Sequence, residues 1–529
     1  MLNRARLSRR TFLGGALAAT RAAGLVLVGC GGGGEEEKGT PQPGEGKPKR
    51  GGTIRSATAA LLGLDPMTTE GVQLASNFYS SVVHMTDWQG TVGDLALSWE
   101  VVDNLDWVFK LRSDARFHDI PPVNGRLLVA ADIPKSIDRA KSLPGASESW
   151  NQWVDNYEAP DDTTLRLRTK NPYGYLLGLI TMCSIIPIEA VEEFGDLKNH
   201  AIGSGPFVLT QYSRDERVER IRNPQYYHEY PYVDGLSTTV IPDEASIQAA
   251  FRAGTLDVYN ASNKLKADAV ENVGGASVYR YLNRRYACIR LNGSKFSAFK
   301  DERVREAIDL ALDRKAMIDK LQFGDGELAG PVPPAFETSL PKEEIETAYV
   351  RDVPKAKQLL AAAGQEGLRF GLSIGNYEDM PDQAAIIKDD LAEAGITVDI
   401  QAGELGTWLS NMLLGNFDAT AFTHLAYMTD EIPLQSHHSH GDTRNERNYL
   451  GVDDAQVDAI LDRIQQTLDE NERKELAWEA QRLVLKRHGP TLLLYQPYGY
   501  WCAYDYIKGY TPSAYGFGLF KYDYWIDKG

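Results

Sequence analysis

The stretch from Leu368 to Ile400 limits the possible folds more than any other part of the chain. Leu368, Phe370, Leu372 and Ile374 alternate as a strand does, Asp382 to Ala394 has helical spacing, and Ile396-Thr397-Val398-Asp399-Ile400 is a second β-rich run. Strand, helix and strand within thirty-three residues make a βαβ unit. Such a unit forces parallel pairing and places this region in an α/β lobe. Ligands of open α/β sheets bind outside the carboxyl ends of the strands, so the site is expected there.

At 529 residues the chain exceeds what one hydrophobic core supports, and two or three lobes are expected. A β element opens the globular part at Arg50 to Ala57, followed by a turn at Leu64-Asp65-Pro66. Leu95 to Val101 and Trp107 to Arg112 read as neighbouring strands joined through Asp103-Asn104. A helix is expected from Pro134 through Arg139, with proline in its first turn. Val304, Ala307, Ile308, Ala311 and Leu312 line one face of a helix from Asp301 to Lys320. Another helix runs from an Asp352 cap to a stop at Gly364.

The first fifty residues read as an address. Ser8-Arg9-Arg10-Thr11-Phe12-Leu13 precedes an apolar stretch that ends in Leu27-Val28-Gly29-Cys30. That stretch is rich in Gly and Ala and interrupted by Arg21, so it fits a cleavable signal better than a spanning helix, which takes ~20 strongly apolar residues. The arginine pair resembles a twin-arginine export signal, and the final tetrapeptide resembles a lipobox with Cys30 as the lipidated residue. Gly31 to Lys49 is Gly, Glu, Pro and Lys with almost nothing to bury, which describes a flexible tether. An extracytoplasmic protein anchored to the outer face of the membrane is expected.

The formal charge is −17, and residues 1–29 carry arginines but no acids, so the remainder is more negative still. This repels phosphate backbones and excludes nucleic acid as a natural partner. Cys183, Cys288 and Cys502 form no Cys-x-x-Cys pair and stand at no metal-ligand spacing from a histidine; they allow at most one disulfide. No nucleophile elbow, His-Glu-x-x-His or phosphate loop is present, so the sequence offers no catalytic set and implies no cofactor.

A series of short motifs then runs in order along the mature chain. Gly51-Gly52-Thr53 comes first, followed by Leu95-Ala96 to Trp99-Glu100, Phe109, Leu111-Arg112 and Phe117-His118. Asn124-Gly125-Arg126, Gly203-Ser204-Gly205-Pro206-Phe207, Arg222-Asn223-Pro224 with Tyr226-Tyr227, and Pro231 to Asp234 come next. Gly254-Thr255-Leu256-Asp257, Val304 to Ile308 and Asp313-Arg314 complete it. Together they resemble bacterial extracellular solute-binding protein family 5, which serves peptide, nickel and related ABC importers. The resemblance implies a type II periplasmic-binding-protein-like α/β fold of two lobes with an added subdomain, closing on its ligand by hinge bending. It implies no catalysis, a monomer, and ABC permease subunits as partners. Lobe I would span residues 51–295 with a subdomain at about 81–200, lobe II residues 296–494, and 495–529 would return to lobe I, with crossings near Asn292 and Leu494.

The same resemblance places a ligand-pairing acid near Asp430 and Glu431, because a buried ammonium requires a carboxylate; a solvated loop acid is the plain alternative. Tyr427 and Trp408 are candidate aromatic contacts, with core packing as their alternative. His424, together with His437, His438 and His440, would suit a metal chelate, although a polar loop explains the run equally well. Peptide is the expected ligand, with oligosaccharide or nickel chelate as alternatives within the family. A secreted metal-dependent hydrolase and a solute-sensing surface lipoprotein are the rivals from other classes.

Overall fold

The computed structural model describes residues 46–528 apart from 62, 69–70, 87–89, 144–146, 378, 425–428, 440–449, 452 and 511–521. The signal segment, Cys30 and most of the tether lie outside the described residues. No described helix is long and apolar enough to cross a membrane.

The opening strand, Thr53–Thr58, pairs in parallel with Gly235–Val240, and the sheet continues antiparallel through Arg217–Arg222 to Phe207–Ser213. Ile54 and Phe207 form the core of this layer with Tyr522 and Tyr524 from the end of the chain. Its neighbour is an antiparallel sheet in the order Ala96–Val101, Asp106–Leu111, Thr164–Thr169, Val154–Asp161. Phe109, Leu165 and Leu167 face inward with Ile133 and Ile137 of the helix Asp132–Ser142. The expected turn is present: Asn104 has φ 68°, and Asp103 Oδ1 accepts from the amides of Leu105 and Asp106. The helix starts two residues before Pro134, because the amides of a first turn need no intrahelical partner and proline is tolerated there.

His118 locks two of the sequence motifs together. It is fully buried; its Nδ1 accepts from the Gly203 amide and its Nε2 donates to the Gly205 carbonyl, both at 3.3 Å. Glycine is required at both positions, since a Cβ would come within 2.1 Å of the Phe78 backbone at Gly203 and 2.5 Å at Gly205.

The third layer is the largest sheet, in the order Val258–Ala261, Thr491–Tyr504, Tyr286–Leu291, Ala419–His424, Arg369–Gly375, Thr397–Gly403. The expected βαβ unit is its edge: Arg369–Gly375 and Thr397–Gly403 run parallel in register, joined by the helix Met380–Glu393. Phe370, Leu372, Ile374, Ile387 and Leu391 are buried between them. The single helix expected from Asp301 to Lys320 is two helices, Glu302–Ala311 and Arg314–Leu321. Asp313 separates them and caps the second, its side chain accepting from the Ala316 amide. The Asp352 cap and the Gly364 stop, at φ 69°, are as expected.

One strand belongs to both lobes. The first part of Thr491–Tyr504 pairs with Tyr286–Leu291, and its second part with Ala276–Leu282 and Val258–Ala261. The chain therefore crosses between Leu282 and Tyr286 and returns near Gln496, a few residues from the expected Asn292 and Leu494. Asn292 is buried within lobe II, donating through Nδ2 to the Gly415 carbonyl. Tyr286–Leu291 is buried at every position, so its pattern does not reveal which sheet it joins.

Burial holds the His118 pKa down to about 4, against a backbone hydrogen bond that raises it. The unfolded chain therefore takes up this proton first. The stability tied to neutral His118 is complete above pH 6.5 and is lost as pH falls from about 6.5 toward 4, by roughly 2 kcal/mol at pH 5. Urea unfolding at pH 7.5 and pH 5 is expected to show a smaller acid loss in His118→Asn than in the wild type.

Candidate functional site

Three loops leave the carboxyl ends of the lobe II strands, after Gly375, Gly403 and His424. Glu404 caps the helix Leu405–Leu413 that follows the second of these strands. Trp408 on that helix belongs to the lobe II core. It is buried, its Nε1 donates to Thr420 Oγ1 at 3.2 Å, and its ring meets Phe422 edge-on at 5.7 Å. This is core packing. The His424 backbone pairs with Tyr286; its side chain and Tyr427 lie outside the described residues.

Asp430 and Glu431 open the short helix Glu431–Gln435, and both are buried. Their surroundings differ sharply. Glu431 accepts from the Tyr173 hydroxyl, at 3.0 and 3.1 Å to its two oxygens, and from Gln465 Nε2 at 3.0 Å. Tyr173 in turn stacks on Trp153 with ring centroids 4.3 Å apart. Asp430 Oδ2 and the nearby Tyr175 hydroxyl are buried and meet no other hydrogen-bond partner; they interact with each other, with Arg473 close by. Burial, and then the Asp430 charge, push the Tyr175 pKa well above that of a free tyrosine. A buried carboxylate with so few donors gains from a further cationic partner, which a ligand ammonium would supply.

Of the histidine run, the structure describes the surroundings of His437 and His438. His437 is buried with neither ring nitrogen partnered, and burial reinforced by Arg290 lowers its pKa to about 3, so it is neutral. His438 lies 3.3 Å from Asp462 and 3.7 Å from Asp458, and His440 is outside the described residues. Among the described residues no group of three or more His, Cys, Asp or Glu could hold a metal ion. Cys183, Cys288 and Cys502 are buried free thiols, each pushed up to about 12 by burial.

A polar cluster that sequence reasoning does not reach centres on Asp94, which is buried and accepts from the Ser81 amide and the Tyr227 hydroxyl. His84 Nε2 lies 3.0 Å from it and His228 Nε2 3.5 Å. Burial alone would raise the Asp94 pKa; the His84 charge and the surrounding hydrogen bonds outweigh this and hold it far below the usual carboxylate range. Arg112 lies 4.0 Å from the centre of the Tyr227 ring, so the Tyr226-Tyr227 and Leu111-Arg112 motifs meet here. His84, Asp94 and His228 are too widely separated in the chain for spacing to suggest the cluster.

Comparison with known proteins agrees with this architecture. Residues 90–445 match the model of bacterial extracellular solute-binding proteins, family 5 Middle. The oligopeptide-binding protein AppA of Bacillus subtilis is 24% identical over 88% of this chain and 90% of its own. The periplasmic binding protein DppA of Helicobacter pylori, solved with the peptide STSA, superposes with a TM-score of 0.77 at 22% identity, covering 91% of this chain and 99% of that one. NikA of Brucella suis, solved with Fe(III)-EDTA, also gives 0.77 at 21% identity, covering 90% and 100%. The chain belongs to bacterial extracellular solute-binding protein family 5 and has its type II two-lobed fold. It is a solute-binding protein of an ABC importer.

The two neighbouring acids are expected to respond in opposite directions. Asp430→Asn removes a buried charge with few donors and should raise the stability of the ligand-free protein by about 1 kcal/mol, whereas Glu431→Ala strands its donors and should lower it by about 1–3 kcal/mol. Denaturant unfolding of both variants without ligand measures this.

Proposed function

We propose that this protein captures a peptide, or a similar small solute bearing an ammonium group, between its lobes and delivers it unchanged to the membrane subunits of the importer. The observation that carries this reading is the buried Asp430 carboxylate, whose Oδ2 has the Tyr175 phenol beside it and no other hydrogen-bond donor. A carboxylate acceptor and a phenol in a water-excluded site suit an amine, and closure strengthens their attraction. The names of AppA and DppA, and the peptide bound to DppA, favour a peptide. NikA with its metal chelate illustrates that one scaffold takes unlike ligands.

Cys30 is the proposed lipid anchor, with residues 31–49 as the tether, and export through the twin-arginine route is part of the same reading. The protein acts as a monomer on the outer face of the membrane. Cys30→Ser is expected to abolish incorporation of labelled fatty acid and to release the protein from membranes on fractionation.

Thermal-shift and titration measurements with tri- to pentapeptides, each with a free and an acetylated amino terminus, test the ligand. Free-amine peptides at a hundredfold excess over Kd should stabilise the protein by about 2.7 kcal/mol. Their acetylated forms should bind at least a hundredfold more weakly, and Asp430→Asn should erase the difference. Equal binding of both forms, or a shift with metal chelates alone, would reject the amine-binding assignment.

A further inference from the structure

Lobe I buries a guanidinium that faces no carboxylate. Along the strand Arg217–Arg222, Val218 and Arg220 point inward while Glu219 and Ile221 point outward. Arg220 is only 5% exposed and sits opposite Leu236 of the neighbouring strand. Both of its hydrogen-bond acceptors are neutral. Nη1 donates to Asn77 Oδ1 at 3.0 Å, on the helix Val72–Phe78, and Nη2 donates to Thr238 Oγ1. Nε is buried and meets no acceptor. The adjacent acid, Glu219, is taken up on the other side of the sheet by the Ser237 hydroxyl at 2.8 Å and by Arg217 at 3.8 Å. Other buried arginines are compensated: Arg139 pairs with Asp65, and Arg314 with Asp309. Burial lowers the Arg220 pKa to about 10, against the phenols of Tyr522 and Tyr524 and the Glu219 charge, so the group stays charged at neutral pH.

The place of this charge in the sheet also bears on its role. Thr53–Thr58 and Gly235–Val240 run parallel, and ligands of open α/β sheets bind beyond the carboxyl ends of such strands. From its position opposite Leu236 the guanidinium reaches toward that end, to Thr238, whose hydroxyl lies 2.8 Å from Ser56 Oγ. On the helix side, Ser76 Oγ lies 2.9 Å from the Tyr522 hydroxyl. Arg220, Asn77 and Thr238 are buried, whereas Ser56 and Ser76 are half-buried. The cluster is therefore closed at its charge and opens toward solvent at two serines.

We propose that Arg220 is the cation of an anion-binding subsite in lobe I, which takes a carboxylate or a comparable oxyanion of the captured solute. Neutral acceptors orient the guanidinium but leave its charge without a counter-charge, and a buried charge in that condition is costly. An oxyanion accepting from Nε supplies the missing charge through a charge-assisted hydrogen bond, which is strongest where water is excluded. Asn77 and Thr238 are positioning residues, since they fix the plane of the guanidinium. The subsite is separate from Asp430 and does not depend on the amine assignment there; a solute that satisfies both carries both charges.

Titration calorimetry on the full chain and on Arg220→Met tests the subsite, with tri- to pentapeptides whose carboxyl terminus is free or amidated, and with sodium acetate and sodium phosphate. Amidation should weaken binding to the wild type at least tenfold, as loss of a hydrogen bond to a charged group implies, and Arg220→Met should bind acid and amide alike. If the wild type binds acid and amide alike but takes up acetate or phosphate that Arg220→Met does not, the subsite stands with a free anion as its occupant. Wild type and variant responding alike to every probe, including no binding at all, overturns it. Should Arg220→Met fail to fold, Arg220→Gln, which can still donate to a neighbour but carries no charge, makes the same comparison. Failure of the amine reading would appear separately, as equal binding of acetylated and free-amine peptides.

Discussion

The rest of the structure depends on the sharing of one strand between two lobes. Thr491–Tyr504 is hydrogen-bonded to lobe II along its first part and to lobe I along its second, so each lobe completes its sheet with the same piece of backbone. Gln496 sits at the change of partner. It is buried, donates through Nε2 to the Asn283 carbonyl on the other crossing segment, and accepts through Oε1 from the Ala335 amide. The two crossing segments are thereby tied to each other at Asn283 and Gln496.

Asp430 and Glu431 are buried beside the Tyr173–Tyr175 segment. The two acids carry the same charge in different surroundings: Glu431 accepts from Tyr173 and Gln465, whereas Asp430 Oδ2 has only the Tyr175 phenol beside it. In the proposed reading that difference makes Asp430 the acid that takes a ligand cation.

Much of the fold is legible in the sequence because it rests on local rules. The βαβ unit from Leu368 to Ile400 declares itself through a change of period from two to 3.6, and the Asp352 cap and Gly364 stop mark one helix correctly. The break between Ala311 and Arg314 escapes sequence reading because Asp313 continues the charged face of the periodic pattern, and its capping role depends on the extended backbone at Leu312. Trp408 reads as a ligand contact because an aromatic beside a loop has the same sequence signature whether it stacks on a solute or, as here, donates to Thr420 within the core. The crossing falls several residues before Asn292, since a fully buried strand carries no alternation to show which sheet it joins.

By itself the sequence determined the class of fold, the family and the helix caps, because these follow from periodicity, turn chemistry and ordered short motifs within a few residues of one another. Only the tertiary structure decided which donors surround each of two adjacent acids, why Gly174 and Gly178 must be glycine, and how His84, Asp94 and His228 come together. Each depends on groups far apart in the chain, and whether a buried charge is compensated is a property of what the fold brings beside it, which no local pattern records.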